Sequence, residues 1–147
     1  MIWKPHATVA AVIERDGLFL MVEEEIEGRG VINQPAGHLD PNETLTAAVI
    51  RETREETAWD FAPQAITGVY LWTHPESQHT YLRAAFCGPC QNHDPQQKLD
   101  DGILRAVWMT REQLQDNADK LRSPMVLRCI DDYLAGQRYP LELLVDL

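Results

Sequence analysis

Gly37-His38-Leu39-Asp40-Pro41-Asn42-Glu43-Thr44-Leu45-Thr46-Ala47-Ala48-Val49-Ile50-Arg51-Glu52-Thr53-Arg54-Glu55-Glu56-Thr57-Ala58-Trp59 is the stretch on which the reading of this chain turns. With helical periodicity, Glu52, Glu55 and Glu56 share an arc of about 100°, with Ala48 between them and Arg51 on its flank. Val49, Ile50, Thr53 and Thr57 occupy the adjoining arc, so one side can pack on a sheet while the acidic side faces a cleft. Carboxylates at i, i+3 and i+4 repel one another, a cost that makes sense where a cation sits among them. Such oxygen donors suit a hard divalent ion, Mg²⁺ first and Mn²⁺ as the alternative. Arg51, four residues before Glu55, is placed to pair with it and fix its orientation. The bland alternative is a solvated acidic helix face.

The spacing sharpens this reading. Gly37, five residues, Glu43, seven residues, then Arg51-Glu52-Thr53-Arg54-Glu55-Glu56 closely resembles the Nudix box, and every charged position of that pattern is kept. Two positions depart from it. Thr53 stands where the family has a bulky aliphatic, and Ala58 stands where a glycine usually follows the helix. An αL helix stop without glycine is strained by roughly 1 to 2 kcal/mol, while neither change removes a ligand.

The resemblance implies an α/β fold, an α/β/α sandwich around a mixed β-sheet, and a metal-dependent hydrolase acting on a small phosphorylated substrate. It further implies metal ligation by the Gly37 carbonyl and by Glu52, Glu55 and Glu56, with Glu55, Glu52 and Arg51 as the catalytic set and Glu55 as the base. One more carboxylate, Asp100 or Asp101, would complete the site from a later loop. Lys4, Gln34 and Arg83 are the substrate-binding candidates. Beyond the box, the segments Lys4–Val9, Asn33–Leu39, Leu121–Pro124 and Gly136–Glu142 resemble a phosphatase branch of the family over nearly the whole chain. That branch implies release of phosphate from nucleoside tri- and diphosphates and hydrolysis of thiamine pyrophosphate and its hydroxymethylpyrimidine diphosphate precursor. Other branches cleave ADP-ribose, nucleotide sugars or dinucleoside polyphosphates, and Pro75, 16 residues beyond Trp59, echoes an ADP-ribose marker. A nucleotide-binding Nudix domain without catalysis is the alternative of another class, and the retained box carboxylates weigh against it.

A length of 147 residues suits a single domain spanning 1–147. Thirteen basic against 23 acidic residues leave a net charge of −10, which argues against a nucleic-acid polymer or an anionic membrane as partner. The same charge repels phosphate, so a phosphate-binding role needs metal and local basic residues to invert the field. No apolar run approaches membrane-spanning length and no secretory signal layout opens the chain, so a cytoplasmic monomer is expected.

The opening reads as a hairpin, His6–Glu14 and Leu18–Val22 about an Asp16-Gly17 turn, after which Glu23-Glu24-Glu25 is expected to start a solvated loop. Gly68–Trp72, His79–Phe86 and Val107–Met109 read as strands, with Arg83 either edge-facing or aimed into a cleft as a phosphate ligand. Residues 91–102 form a polar loop. Thr110 caps one helix, and Ser123-Pro124 opens another with Leu127, Ile130 and Leu134 as its core stripe. The irregular alternation favours helices on both faces of a mixed sheet. Cys87-Gly88-Pro89-Cys90 raises a thiol–disulfide oxidoreductase as a rival, but Pro95 stops any helix that fold would need there. A zinc site on Cys87, Cys90 and His93 lacks a fourth ligand, and Cys129 is expected in the core.

Overall fold

The computed structural model describes residues 1–147. In chain order the elements are β1 (His6–Val12), β2 (Glu14–Arg15), β3 (Leu18–Ile26), β4 (Arg29–Asn33), β5 (Ala36–His38), α1 (Leu45–Thr57), β6 (Asp60–Phe61), β7 (Ala65–Thr73), β8 (Thr80–Cys87), β9 (Cys90–Gln91), β10 (Ile103–Thr110), α2 (Arg111–Asp116) and α3 (Met125–Leu134). The expected Asp16-Gly17 turn is present, with φ of 53° and 81° at its two residues, but it joins only the short β2 to β3: His6–Val12 is not an arm of that hairpin, because β1 leaves for the other sheet and pairs with β5 and β8. Positive φ at both centres matches the right-handed twist of the flanking strands.

One sheet runs β5-β1-β8-β7, in which β1 and β8 are parallel and the other pairs antiparallel. In the second, β3 pairs with β10, β2 and β4. Successive side chains on a strand point to opposite faces, and β1 and β8 use both. Val9, Ala11, Ala84 and Phe86 join Ala48 and Val49 of α1 in one core. Val12, Ala85 and Cys87 join Leu114 of α2 and Val126, Cys129 and Ile130 of α3 in the other. Two cores on the two faces of a mixed sheet make the expected α/β/α sandwich, and a parallel pair covered on both sides is the reason Val9–Val12 and Ala84–Cys87 are continuous apolar runs.

Three local expectations need correction. Glu23–Glu25 do not begin a loop: β3 continues to Ile26 and turns at Glu27-Gly28 (φ 52° and 78°), because this second left-handed pair closes another hairpin. Of the expected α3 stripe, Ile130 is buried and Leu127 packs partly against the core, but Leu134 is 51% exposed, since the buried face centres on Val126, Cys129 and Ile130. Ile50 of α1 is likewise exposed at the edge of the packed arc, which Ala48, Val49, Thr53 and Thr57 fill. Thr53 loses nothing in hydrogen bonding when buried, because its Oγ1 donates to the Val49 carbonyl at 2.8 Å.

Candidate active site

Helix α1 is fixed at both ends, and its ends place the acids. At the start, Thr44 Oγ1 accepts from the Ala47 N–H at 3.0 Å, a threonine N-cap. At the end, Ala58 adopts φ 62° and ψ 21°, the αL conformation usually reserved for glycine, and its N–H donates to the Arg54 carbonyl at 3.0 Å. The last carbonyls of a helix have no partner within it. Here the 91–102 loop answers this end of the helix: Asp100 N–H donates to Glu55 O (2.9 Å), the Gln97 side chain adds a second donor to Arg54 O (2.6 Å), and Asp94 N–H donates to Ala58 O (3.0 Å). Docking the loop this way brings the Asp100 carboxylate beside Glu52 and Glu55, all three ligand atoms lying within 4.8 Å of one another.

Arg51 organises the same face from the other side. Its Nε and Nη2 grip Glu43 at 2.6 and 3.0 Å, its Nη1 donates to Glu52 at 2.9 Å and to Glu55 at 3.2 Å, and its Nη2 reaches the His38 carbonyl at 3.1 Å. A planar fork holds a carboxylate through two parallel hydrogen bonds, which an ammonium cannot reproduce. The Arg51 hydrogen bond in turn holds the Glu43 carboxyl down at about 2. The expected pairing of Arg51 with Glu55 is therefore present, as one arm of a wider hub.

Glu52 and Glu56 diverge from Glu55 in environment. The Glu52 side chain is 12% exposed and that of Glu55 40%. Burial pushes the Glu52 carboxyl up, opposed by its hydrogen bond to Arg51. Gly37 is what lets Glu52 lie where it does, because a Cβ at that position would overlap the Glu52 carboxyl. Glu56 is buried, accepts from the Ala36 N–H at 2.9 Å, and stands outside the group formed by Glu52, Glu55 and Asp100. Its carboxyl is pushed up to about 9, first by burial and further by Glu52, Glu24 and Asp100, against the pull of the Ala36 N–H.

Glu52, Glu56 and Gly37 line a cavity of about 310 Å³. Glu24, on the opposite alternation from Glu23 and Glu25, also faces it, so one of the three acids set aside in the sequence as solvent-facing belongs to the site. Trp72 and Tyr81, neighbours across β7 and β8, stack at 6.1 Å with an interplanar angle of 22° on its wall. Arg83 is buried and lines the cavity, which settles it against the edge-facing alternative. Gln34 does not line it: the side chain is buried, accepting from Arg83 at 2.9 Å and donating to the Val126 carbonyl at 2.7 Å, and it supports the arginine instead. Lys4 is exposed ahead of β1 and lines none of this cavity. Asp101 is exposed and stays out of the carboxylate group that Asp100 joins.

The thiol alternatives do not assemble. Cys87 ends β8 and Cys90 begins β9, so Gly88-Pro89 is a strand-to-strand turn rather than a helix start. Cys87, Cys90 and Cys129 are all buried, and burial pushes each thiol up, away from the thiolate that redox chemistry uses. His93 stacks on Trp59 at 4.6 Å, and no grouping of it with Cys87 and Cys90 forms.

Glu52, Glu55 and Asp100 converge beside the cavity at a glycine-permitted contact on an α/β/α sandwich, and the NUDIX domain family model matches residues 4–129. The chain belongs to the Nudix family. Phosphatase NudJ of Escherichia coli strain K12 is 42% identical over 144 residues, covering 98% of this chain and 93% of that one. A solved NUDIX hydrolase from Nitrosomonas europaea is 46% identical with a TM-score of 0.96, covering 98% of each chain. The NUDIX domain of Shewanella oneidensis NrtR, solved with ADP ribose, shares the fold at 17% identity, a TM-score of 0.69, and 92% and 90% coverage. No helix is long and apolar enough to cross a membrane.

Proposed function

We propose that this chain, as one domain over residues 1–147, is a Mg²⁺-dependent phosphohydrolase, with Mn²⁺ able to substitute. It releases phosphate from nucleoside tri- and diphosphates and hydrolyses thiamine pyrophosphate and hydroxymethylpyrimidine diphosphate, working as a cytoplasmic monomer. The observation that carries the reading is the Glu52–Glu55–Asp100 group, whose oxygens lie within 4.8 Å of one another beside a cavity. The donor set fits the ion: three hard oxygens with only Arg51 to relieve their mutual repulsion. Glu52, Glu55 and Asp100 would hold it, with the Gly37 carbonyl and Glu56 on the cavity side. When bound, a divalent ion screens the charge of the diphosphate and lowers the pKa of a coordinated water.

The chain's own groups divide the remaining work. Glu55, the more exposed of the box pair, touches Arg51 only at 3.2 and 3.4 Å, so its oxygens keep lone pairs with which to take the proton of the attacking water. Arg51 acts as a positioning residue, since it holds Glu52 and Glu55 while anchored on Glu43. The stacked Trp72 and Tyr81 offer a ring surface to a heterocycle, and about 310 Å³ suits one heterocycle and a short phosphate chain better than a dinucleoside polyphosphate.

A panel of diphosphate compounds incubated with Mg²⁺, with each product identified by chromatography, tests the substrate class. Thiamine pyrophosphate, hydroxymethylpyrimidine diphosphate and nucleoside diphosphates should yield phosphate, and chelator should abolish it. Glu55→Gln should lower turnover by orders of magnitude in a folded protein. Near-normal turnover in that variant would sink the assignment, and turnover confined to ADP-ribose or dinucleoside polyphosphates would overturn the substrate class.

A further inference from the structure

One wall of the cavity carries a cation that the carboxylate chemistry does not use. Arg83 sits within β8, paired in register with Thr8 of β1 and Tyr70 of β7, and is 4% exposed. Its Nη1 donates to Gln34 Oε1 at 2.9 Å and approaches Cys129 Sγ at 3.9 Å, while its Nη2 donates to Asn33 Oδ1 at 3.0 Å. Its Nε is buried without any acceptor. Every hydrogen-bond partner of Arg83 is thus a neutral amide or a buried thiol, and none of the molecule's ion pairs includes it. A guanidinium does not shed its proton to escape burial, so a full positive charge is held here without a counter-charge.

The rest of the cavity is acidic. Glu24 and Glu52 come from β3 and α1, Asp40 from the segment before α1, and the only other arginine or lysine on the wall is Arg122, just ahead of α3. Acids and cations therefore enter the same space from different elements. An anion with one charged group can answer only one of these walls. A chain of phosphoryl groups can present one group to the carboxylate wall and another to the arginine.

We propose that Arg83 is an anion subsite of the cavity, receiving the phosphoryl group that the carboxylate wall does not hold. This rests on reading the cavity as that of a phosphohydrolase. A purely structural role, tying β4 and α3 to β8 through Asn33 and Gln34, would need the hydrogen bonds of Arg83 but not its uncompensated charge.

Charge and hydrogen bonding separate in one substitution, Asn33→Asp, which keeps an acceptor for Nη2 and cancels the positive charge. Steady-state hydrolysis of a nucleoside diphosphate with Mg²⁺, and calorimetric binding of methylenediphosphonate with Mg²⁺, should be measured on wild type, Arg83→Gln and Asn33→Asp. Both variants should show KM and Kd raised at least tenfold with a smaller change in kcat, and Asn33→Asp should melt no lower than wild type. KM and Kd within twofold of wild type in Asn33→Asp overturn the subsite, and this variant decides alone if Arg83→Gln does not fold. Wild type that binds methylenediphosphonate through Arg83 yet turns over no diphosphate would refute the hydrolase reading and leave the subsite standing.

Discussion

Replacing Glu56 by glutamine should stabilise the metal-free protein, and by an amount that grows with pH. Glu56 is 8% exposed and its carboxyl titrates at about 9, against an ordinary 4.5. A folded-state pKa above the unfolded one means that the folded chain keeps a proton which the unfolded chain releases. The stability linked to this group is fully present below pH 4.5 and is lost progressively as pH rises towards 9. At pH 7 the folded state holds that proton about 2.5 pH units above the unfolded pKa, a penalty of about 3 kcal/mol. Glutamine escapes the penalty, and its Oε1 can still accept from the Ala36 N–H. In chelator, Glu56→Gln and wild type should match near pH 4.5 and differ by about 3 kcal/mol at pH 7, a gap of roughly 6 to 12 °C in Tm. Thermal melts at four pH values between 4.5 and 8 measure it. A gap that stays flat across this range, or a wild type that is the more stable at pH 7, would refute the reasoning that burial holds Glu56 neutral.

Saturating Mg²⁺ should stabilise wild type by about 2.7 kcal/mol at a hundredfold excess over Kd; the increment should shrink in Glu52→Gln, and equal increments in melting curves would put the ion elsewhere. Arg51→Lys should reduce kcat at least tenfold, since one ammonium cannot grip Glu43 and reach Glu52 and Glu55 together; unchanged steady-state kinetics would remove Arg51 from its positioning role. Gly37→Ala should lose turnover about a hundredfold in a folded protein, because the added Cβ displaces the Glu52 carboxyl. The Cys87→Ser/Cys90→Ser double variant should hydrolyse diphosphates normally, and wild type should not reduce insulin disulfides; loss of hydrolysis in the double variant would revive the thiol reading.

Local rules made much of this molecule readable from its residues. The Asp16-Gly17 turn, the Thr110 cap and the acidic arc of α1 all depend on neighbours within a few positions, and each stands where expected. The less legible parts depend on partners far away in the chain. Glu24 faces the cavity only because β3 runs on past Val22 into the Glu27-Gly28 turn, and a glutamate-glycine pair was the signal available for that turn. Glu56 shares the helical arc of Glu52 and Glu55, yet β5 covers it, and periodicity carries no information about what lies on top of a helix. Choosing Asp100 over Asp101 depended on a backbone hydrogen bond across 45 positions, to Glu55 O, which no pattern in the loop announces.

That loop also makes the end of α1 and the chemistry of the site a single cooperative unit. Arg54 O, Glu55 O and Ala58 O accept from Gln97, Asp100 and Asp94, and the Arg54 side chain returns the contact by donating to the Asn92 carbonyl at 3.1 Å. Fraying of the last helical turn would therefore carry Asp100 away from Glu52 and Glu55 in the same event. Amide hydrogen exchange should register the two as one opening, with the Ala58 and Asp100 amides sharing a protection factor and gaining protection together when a cation bridges the carboxylates.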